Sequence, residues 1–171
     1  MNISENGISL IKDSEGYSEK AYRCPAGFWT IGYGSTQTPA DRYIQEGETC
    51  TKEQAVEYLR HDVRAIEGYL NANLPQLNQN QFDALTSLIY NIGIQAFRNS
   101  TLLKCIKNSP EDKMSIARYW LQWNKAKKPK TGELVVLPGL TIRRTKELNL
   151  YGSAAKQSSS GSTVKTTPVK G

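Results

Sequence analysis

The chain has little of what would mark it for metal binding, disulfide stapling or a life in the membrane. Its 171 residues contain one histidine, His61, and three cysteines, Cys24, Cys50 and Cys105, with no Cys-x-x-Cys pair among them. That supply argues against a zinc site, and no metal or organic cofactor is expected. An odd cysteine count argues against a disulfide framework. No window approaches the roughly 20 apolar residues of a membrane span, so no stable membrane anchor is expected. The opening Met1 to Asn6 has neither a basic nor an apolar stretch, which predicts no signal peptide and accumulation in the cytoplasm. Acidic residues are missing from Ser153 to Gly171, where Lys156, Lys165 and Lys170 carry three of the six net positive charges. The remaining body is only weakly basic, too weakly for a nucleic-acid footprint.

What is present reads as one body over residues 1–152, followed by a flexible basic Ser/Thr/Lys-rich tail over 153–171. Ser4 to Ser14 has helical spacing at Ile8 and Ile11, with Gly16 placed to stop it. Short β-like runs, Ala21 to Cys24 and Phe28 to Tyr33, flank the turn signal Pro25-Ala26-Gly27. A third short strand is expected near Tyr43 to Gln45. Thr51 and Gln54 form a capping-box pattern that opens one long linking helix ending before Pro75. Gln79 to Ile92 is apolar on most sides and reads as a buried central helix. Ser100 and Ser109-Pro110 each open a further helix, the second running to about Trp123. A loop with a small hairpin at Glu133 to Leu137 precedes a last helix from about Leu140 to Leu150. The class is α+β, mainly α: a small N-terminal β-sheet lobe, a linking helix and a helical C-terminal lobe.

The sharpest local pattern is Glu15, eight residues, Cys24, five residues, Thr30. A carboxylate at a helix C-terminus meets partial negative charge, which should raise its pKa and suit it to general acid work. Cys24 and Thr30 are symmetric about Gly27, so a hairpin centred there sets them opposite each other on one face. A polar pair facing an acid is a place to hold an attacking water. Each residue alone has a plainer reading: a solvated carboxylate, a small buried filler, an ordinary strand residue. Cys50 shares the small lobe with Cys24, and a disulfide that switches the site off requires their Cα atoms within about 7 Å; two independent thiols are the simpler expectation.

With that triad, other motifs follow in order: Asn80-Gln81-Phe82-Asp83-Ala84-Leu85, Tyr90-Asn91-Ile92-Gly93, Phe97, Ser100-Thr101-Leu102-Leu103, Trp123, Leu137-Pro138-Gly139-Leu140, Arg143-Arg144 and Glu147. Together they resemble the phage lysozymes of glycoside hydrolase family 24, the T-even phage type, over roughly Ile8 to Tyr151. The resemblance implies a two-lobe lysozyme-like fold and hydrolysis of the β-1,4 bond between N-acetylmuramic acid and N-acetylglucosamine in peptidoglycan. It makes Glu15 the proton donor, gives Thr30 a part in positioning water, and sets Cys24 in the place of a second carboxylate. A thiol beside Glu15 is expected to titrate high and to be the weaker base. Tyr33, Gly34, Phe97 and Trp123 are the candidate substrate contacts, and one of Arg143 and Arg144 is expected to pair with Glu15. Ser35 stands where many members have histidine, with a structural effect expected. The resemblance also implies an endolysin held in the host cytoplasm until lysis and then acting on the periplasmic wall, a holin pore for export, and a monomer.

Rival readings are a wall-binding module with a dead site, which Cys24 keeps open, and an antibacterial effector, for which no export route or immunity partner is visible. A lytic transglycosylase also starts from one glutamate, but it needs no positioned water, so Cys24 and Thr30 argue against it.

Overall fold

The computed structural model describes residues 1–154. Helix α1 (Glu5–Glu15) buries Ile8 and Ile11, and its chain direction breaks at Gly16, whose φ of 72° a side-chain-bearing residue rarely adopts. Ser4 occupies the cap position, but its side chain does not cap the helix. Its backbone N–H and hydroxyl both donate instead to Asp83, a buried residue of the central helix. The acid-bearing helix is thereby tied to the other lobe at its start.

Strands β1 (Ser18–Arg23) and β2 (Trp29–Gly32) pair antiparallel, Tyr22 with Thr30 and Arg23 with Trp29. The Cys24 N–H donates to the Phe28 carbonyl at 2.9 Å, so the hairpin is centred on Ala26 and not on Gly27. Cys24 therefore faces Phe28, and Thr30 is its diagonal neighbour on the same face. The expected third strand is reduced to a single bridge, Gln37 to Tyr43. Pro39 offers no N–H there and Asp41 adopts φ 58°, so no ladder can propagate.

The linking segment is two helices, α2 (Lys52–Asp62) and α3 (Arg64–Asn73), where one was expected. The Thr51–Gln54 capping box forms as read. The interruption falls at Val63, the last residue packed in the small-lobe core; Ile66 already belongs to the core of the helical lobe. The chain turns where its apolar face changes partner.

Central helix α4 (Gln79–Ile92) is opened by an Asn78–Gln81 capping box and buried from Phe82 to Ile89. A short unforeseen helix follows, α5 (Ile94–Arg98), then α6 (Thr101–Asn108), capped by Ser100. Helix α7 (Lys113–Leu121) starts later and ends earlier than expected: Asp112, not Ser109, accepts the Ser115 N–H, at 3.1 Å. Ser109 and Pro110 instead make a turn closed by Asp112 N–H on the Ser109 carbonyl at 3.0 Å. A ribbon of β3 (Lys125–Lys127) and β4 (Leu134–Val136) leads into α8 (Pro138–Gly152), which carries a proline in its first turn. Among the described residues the only sheets are these two ribbons, so the fold is α+β and mainly helical. The tail expected over 153–171 lies, from residue 155 onward, outside the described residues. Among those described, no helix is long and apolar enough to cross a membrane, and no cluster of potential metal ligands occurs.

Candidate active site

Glu15 is the last residue of α1, and two hollows meet at it. The larger, about 560 Å³, runs along Asp13, Ser14, Asn91 and the start of α8 from Leu137 to Arg143. The smaller, about 270 Å³, is lined by Gly34, Thr36, Asp62 and Tyr90. Both share Glu15 and Asn91, so they form one cleft between the lobes.

Arg143 fixes the glutamate. Its Nη1 donates to Glu15 Oε1 at 2.5 Å, across 128 residues of sequence. The guanidinium is itself buried and over-determined: Nη2 donates to the Ser87 carbonyl at 3.1 Å, and Nε to Glu147 Oε1 at 3.3 Å. Arg144 does not reach Glu15. It donates to Glu147 at 2.8 Å, to Asn91 Oδ1 at 2.9 Å and to the Trp123 carbonyl at 3.0 Å. Glu147 also accepts from Ser87 Oγ at 2.8 Å and from Trp120 Nε1 at 3.0 Å. Two buried arginines thus lean on the fully buried Glu147, and Arg143 alone also reaches Glu15 at the cleft; an unmatched charge among the buried groups is costly. Asn91 and Glu147 stand in the sequence only as motif positions and Ser87 in no motif; their packing on α4 and α8 reveals all three.

The hairpin carries the other two residues of the triad, and neither Cys24 nor Thr30 lines either hollow. Tyr22 pairs with Thr30, and Cys24 lies two residues on, so all three side chains share one face. Burial and then the charges of Glu15 and Cys24 raise the Tyr22 phenol. Tyr22 was missed in the sequence because one tyrosine in a polar strand carries no signal. The Cys24 thiol is pulled below its ordinary value, the reverse of the expectation. Hydrogen bonding from the backbone at Phe28 is the main cause, backed by the Thr30 hydroxyl and the backbone at Ala26 and Gly27, and opposed by burial. Thr30 is itself only 4% exposed, and its hydroxyl donates to the Phe28 carbonyl at 3.1 Å.

Cys24 is half-buried and Cys50 buried, and both are free thiols. Cys50 packs under the base of the hairpin near Ser18, six residues before Cys24 along β1. That is roughly 15–20 Å of strand, well beyond disulfide reach.

Two proposed sugar contacts are corrected by burial. Phe97 is 0% exposed, in the helical-lobe core. Tyr33 is 4% exposed, its ring against Tyr17 and Lys12, and only its carbonyl approaches the cleft, accepting from Tyr90 Oη at 2.9 Å. Trp123 lines a separate hollow with Tyr119, Gln122 and Lys125. Gly34 does line the cleft: at φ 102° an added Cβ would lie 3.2 Å from Tyr90 Oη and 3.7 Å from Glu15 Oε2. Asp62, to which the sequence drew no attention, ends α2 in the smaller hollow. It accepts from the buried Ser35 hydroxyl at 2.5 Å, and burial pushes its carboxyl up to about 6.

Residues 12–147 match the model of the phage lysozyme family. The endolysin of Acyrthosiphon pisum secondary endosymbiont phage 1 is 43% identical over 155 residues, covering 90% of this chain and 100% of that protein. Among solved structures, the endolysin from Escherichia coli O157:H7 phage FAHEc1 superposes with a TM-score of 0.79 at 37% identity, covering 88% of this chain and 93% of that one. The muramidase domain of SpmX from Asticaccaulis excentricus also reaches 0.79, at 35% identity over 90% of this chain and 99% of that domain.

Proposed function

The chain belongs to the phage lysozyme family, and from that premise we propose that Glu15, Cys24 and Thr30 carry out its chemistry, with Arg143 as their positioning residue. It is a phage endolysin, a glycoside hydrolase with lysozyme activity against the bacterial cell wall. The bond cut is the β-1,4 link between N-acetylmuramic acid and N-acetylglucosamine. The single observation that carries the reading is the interlobe ion pair: Glu15, at the mouth of both hollows, is gripped at 2.5 Å by a buried arginine that Ser87 and Glu147 also hold.

In the proposed step, the Glu15 carboxyl gives its proton to the glycosidic oxygen as the bond to the anomeric carbon breaks. A water held by the Thr30 hydroxyl and Cys24 Sγ adds to that carbon. Its proton goes to the Cys24 thiolate, which the hairpin backbone favours. The acid comes from α1 and the base from the hairpin, and the scheme sets the water between them. The arginine grip spares Glu15 the reorganisation that a free helix-end side chain would need. Gly34 lets the sugar chain approach the acid without meeting a Cβ. Cytoplasmic storage, a holin pore for export and a monomeric enzyme complete the proposal.

The test is release of muropeptides from purified peptidoglycan, read by mass spectrometry for wild type, Glu15→Gln and Cys24→Ala. Reducing-end products from wild type, lost in both variants, are expected. Retained activity in Cys24→Ala would hand water positioning to Thr30 alone. No release by the freshly reduced wild type would refute the assignment and favour a wall-binding module.

A further inference from the structure

The β3–β4 ribbon has no part in the cleft chemistry, yet its surface is unusual. The register pairs Lys125 with Val136, Ala126 with Val135 and Lys127 with Leu134. Directly paired residues in an antiparallel ladder point to one face, and neighbours along a strand to opposite faces. Ala126 and Val135 therefore share the inner, half-buried face. Lys125, Lys127, Leu134 and Val136 share the exposed one, where Leu134 is 59% and Val136 54% exposed and where Lys125 and Leu134 also border the hollow beside Trp123. The connecting turn adds Lys128 and Lys130, both exposed. The one acid in the segment is Glu133, 3.7 Å from Lys128. The ribbon is thus net basic by three charges, with two large aliphatic side chains set among the lysines.

We propose that this ribbon is a docking surface for an anionic phospholipid bilayer. Each ingredient excludes a different alternative. A soluble polyanion would match the lysines but leave Leu134 and Val136 in water. A second copy of the ribbon would cover the aliphatics but set lysine against lysine. A bilayer carrying anionic headgroups accepts both, the ammonium groups at the phosphates and the aliphatics at the acyl boundary. Such contact is reversible adhesion and needs no spanning segment. The ribbon runs through Leu137 directly into the first turn of α8, which lines the cleft at Pro138 and Gly139. Adhesion there keeps the cleft mouth beside the layer of wall next to the membrane.

The test is co-sedimentation of the full chain with vesicles of phosphatidylcholine alone or equimolar with phosphatidylglycerol. Wild type should sediment only with the anionic vesicles. Leu134→Ser/Val136→Ser should lose about tenfold in partitioning. Lys127→Gln/Lys128→Gln/Lys130→Gln should lose about a hundredfold. Both should release muropeptides from purified peptidoglycan as wild type does. As a probe that leaves the apolar surface intact, Leu134→Trp should shift its emission to the blue on anionic vesicles. The proposal is overturned if wild type ignores anionic vesicles, if the apolar double variant binds as wild type, or if the tryptophan emission does not move.

Discussion

Asp62→Asn should stabilise the protein, and only above the acid range. The carboxylate sits in the cleft wall with a neutral hydroxyl, Ser35 Oγ, as its hydrogen-bond partner at 2.5 Å. Serine brings no positive charge to it. Burial raises the Asp62 carboxyl from 3.8 to about 6, against smaller opposing effects of Ser35 and His61. A raised carboxyl pKa means that the folded protein holds the proton more tightly than the unfolded chain. Stability is then fully present below 3.8 and is lost as pH rises through about 6. Taken at 1.36 kcal/mol per pH unit, the loss is about 3 kcal/mol, or about 2–3 after allowance for partial solvation. Asparagine keeps the shape and the acceptor for Ser35 but never ionises. Urea unfolding should therefore show Asp62→Asn and wild type nearly equal at about pH 3.5, with the variant ahead by about 2–3 kcal/mol at about pH 7. In thermal melts that difference amounts to roughly 4–10 °C. An offset equal at both pH values, or a variant less stable near neutrality, would refute the reasoning. The former would mean a packing effect, the latter a carboxylate matched by charge in the folded state.

Other outcomes follow from the same geometry. Iodoacetamide near neutral pH should label Cys24 before the other thiols, because hydrogen bonding lowers Cys24 while burial raises Cys50 and Cys105; equal labelling by peptide mass spectrometry would contradict this. Glu147→Gln leaves the buried Arg144 with no carboxylate and Arg143 with Glu15 alone, and should cost about 3–5 kcal/mol in urea unfolding; a cost below about 1 would mean that water already solvates the cluster. Gly34→Ala forces a Cβ into a positive-φ position 3.2 Å from Tyr90 Oη, and should lower the melting stability by about 1–3 kcal/mol along with muropeptide release. An unchanged melting temperature and activity would show that the cleft wall yields there.

Features decided within a few residues were legible in the sequence. The Thr51–Gln54 box, the Ser100 cap and the Gly16 stop each depend on one turn of chain, and each forms where it was read. Where two local signals competed, tertiary context chose: Asp112 took the cap expected of Ser109, and Val63 broke the linking helix where it passes between two cores. The aromatic candidates erred for the same reason. Tyr33 and Phe97 look equally fit for a sugar or a core, and packing placed both inside. Arg143 and Arg144 are neighbours with the same chemistry, about 100° apart around a helix. Nothing in the sequence ranks them; the seat of α8 against α4 turns one to Glu15 and the other to Asn91. Asp62 and Asn91 carry no signal of their own for a related reason, since single polar residues from two segments acquire a role only when one cleft brings them together. The sequence determined which chemistry is available and where most helices begin, because both are local properties. Which side chains share the water, the charge and the burial of one cavity was decided by long-range packing alone.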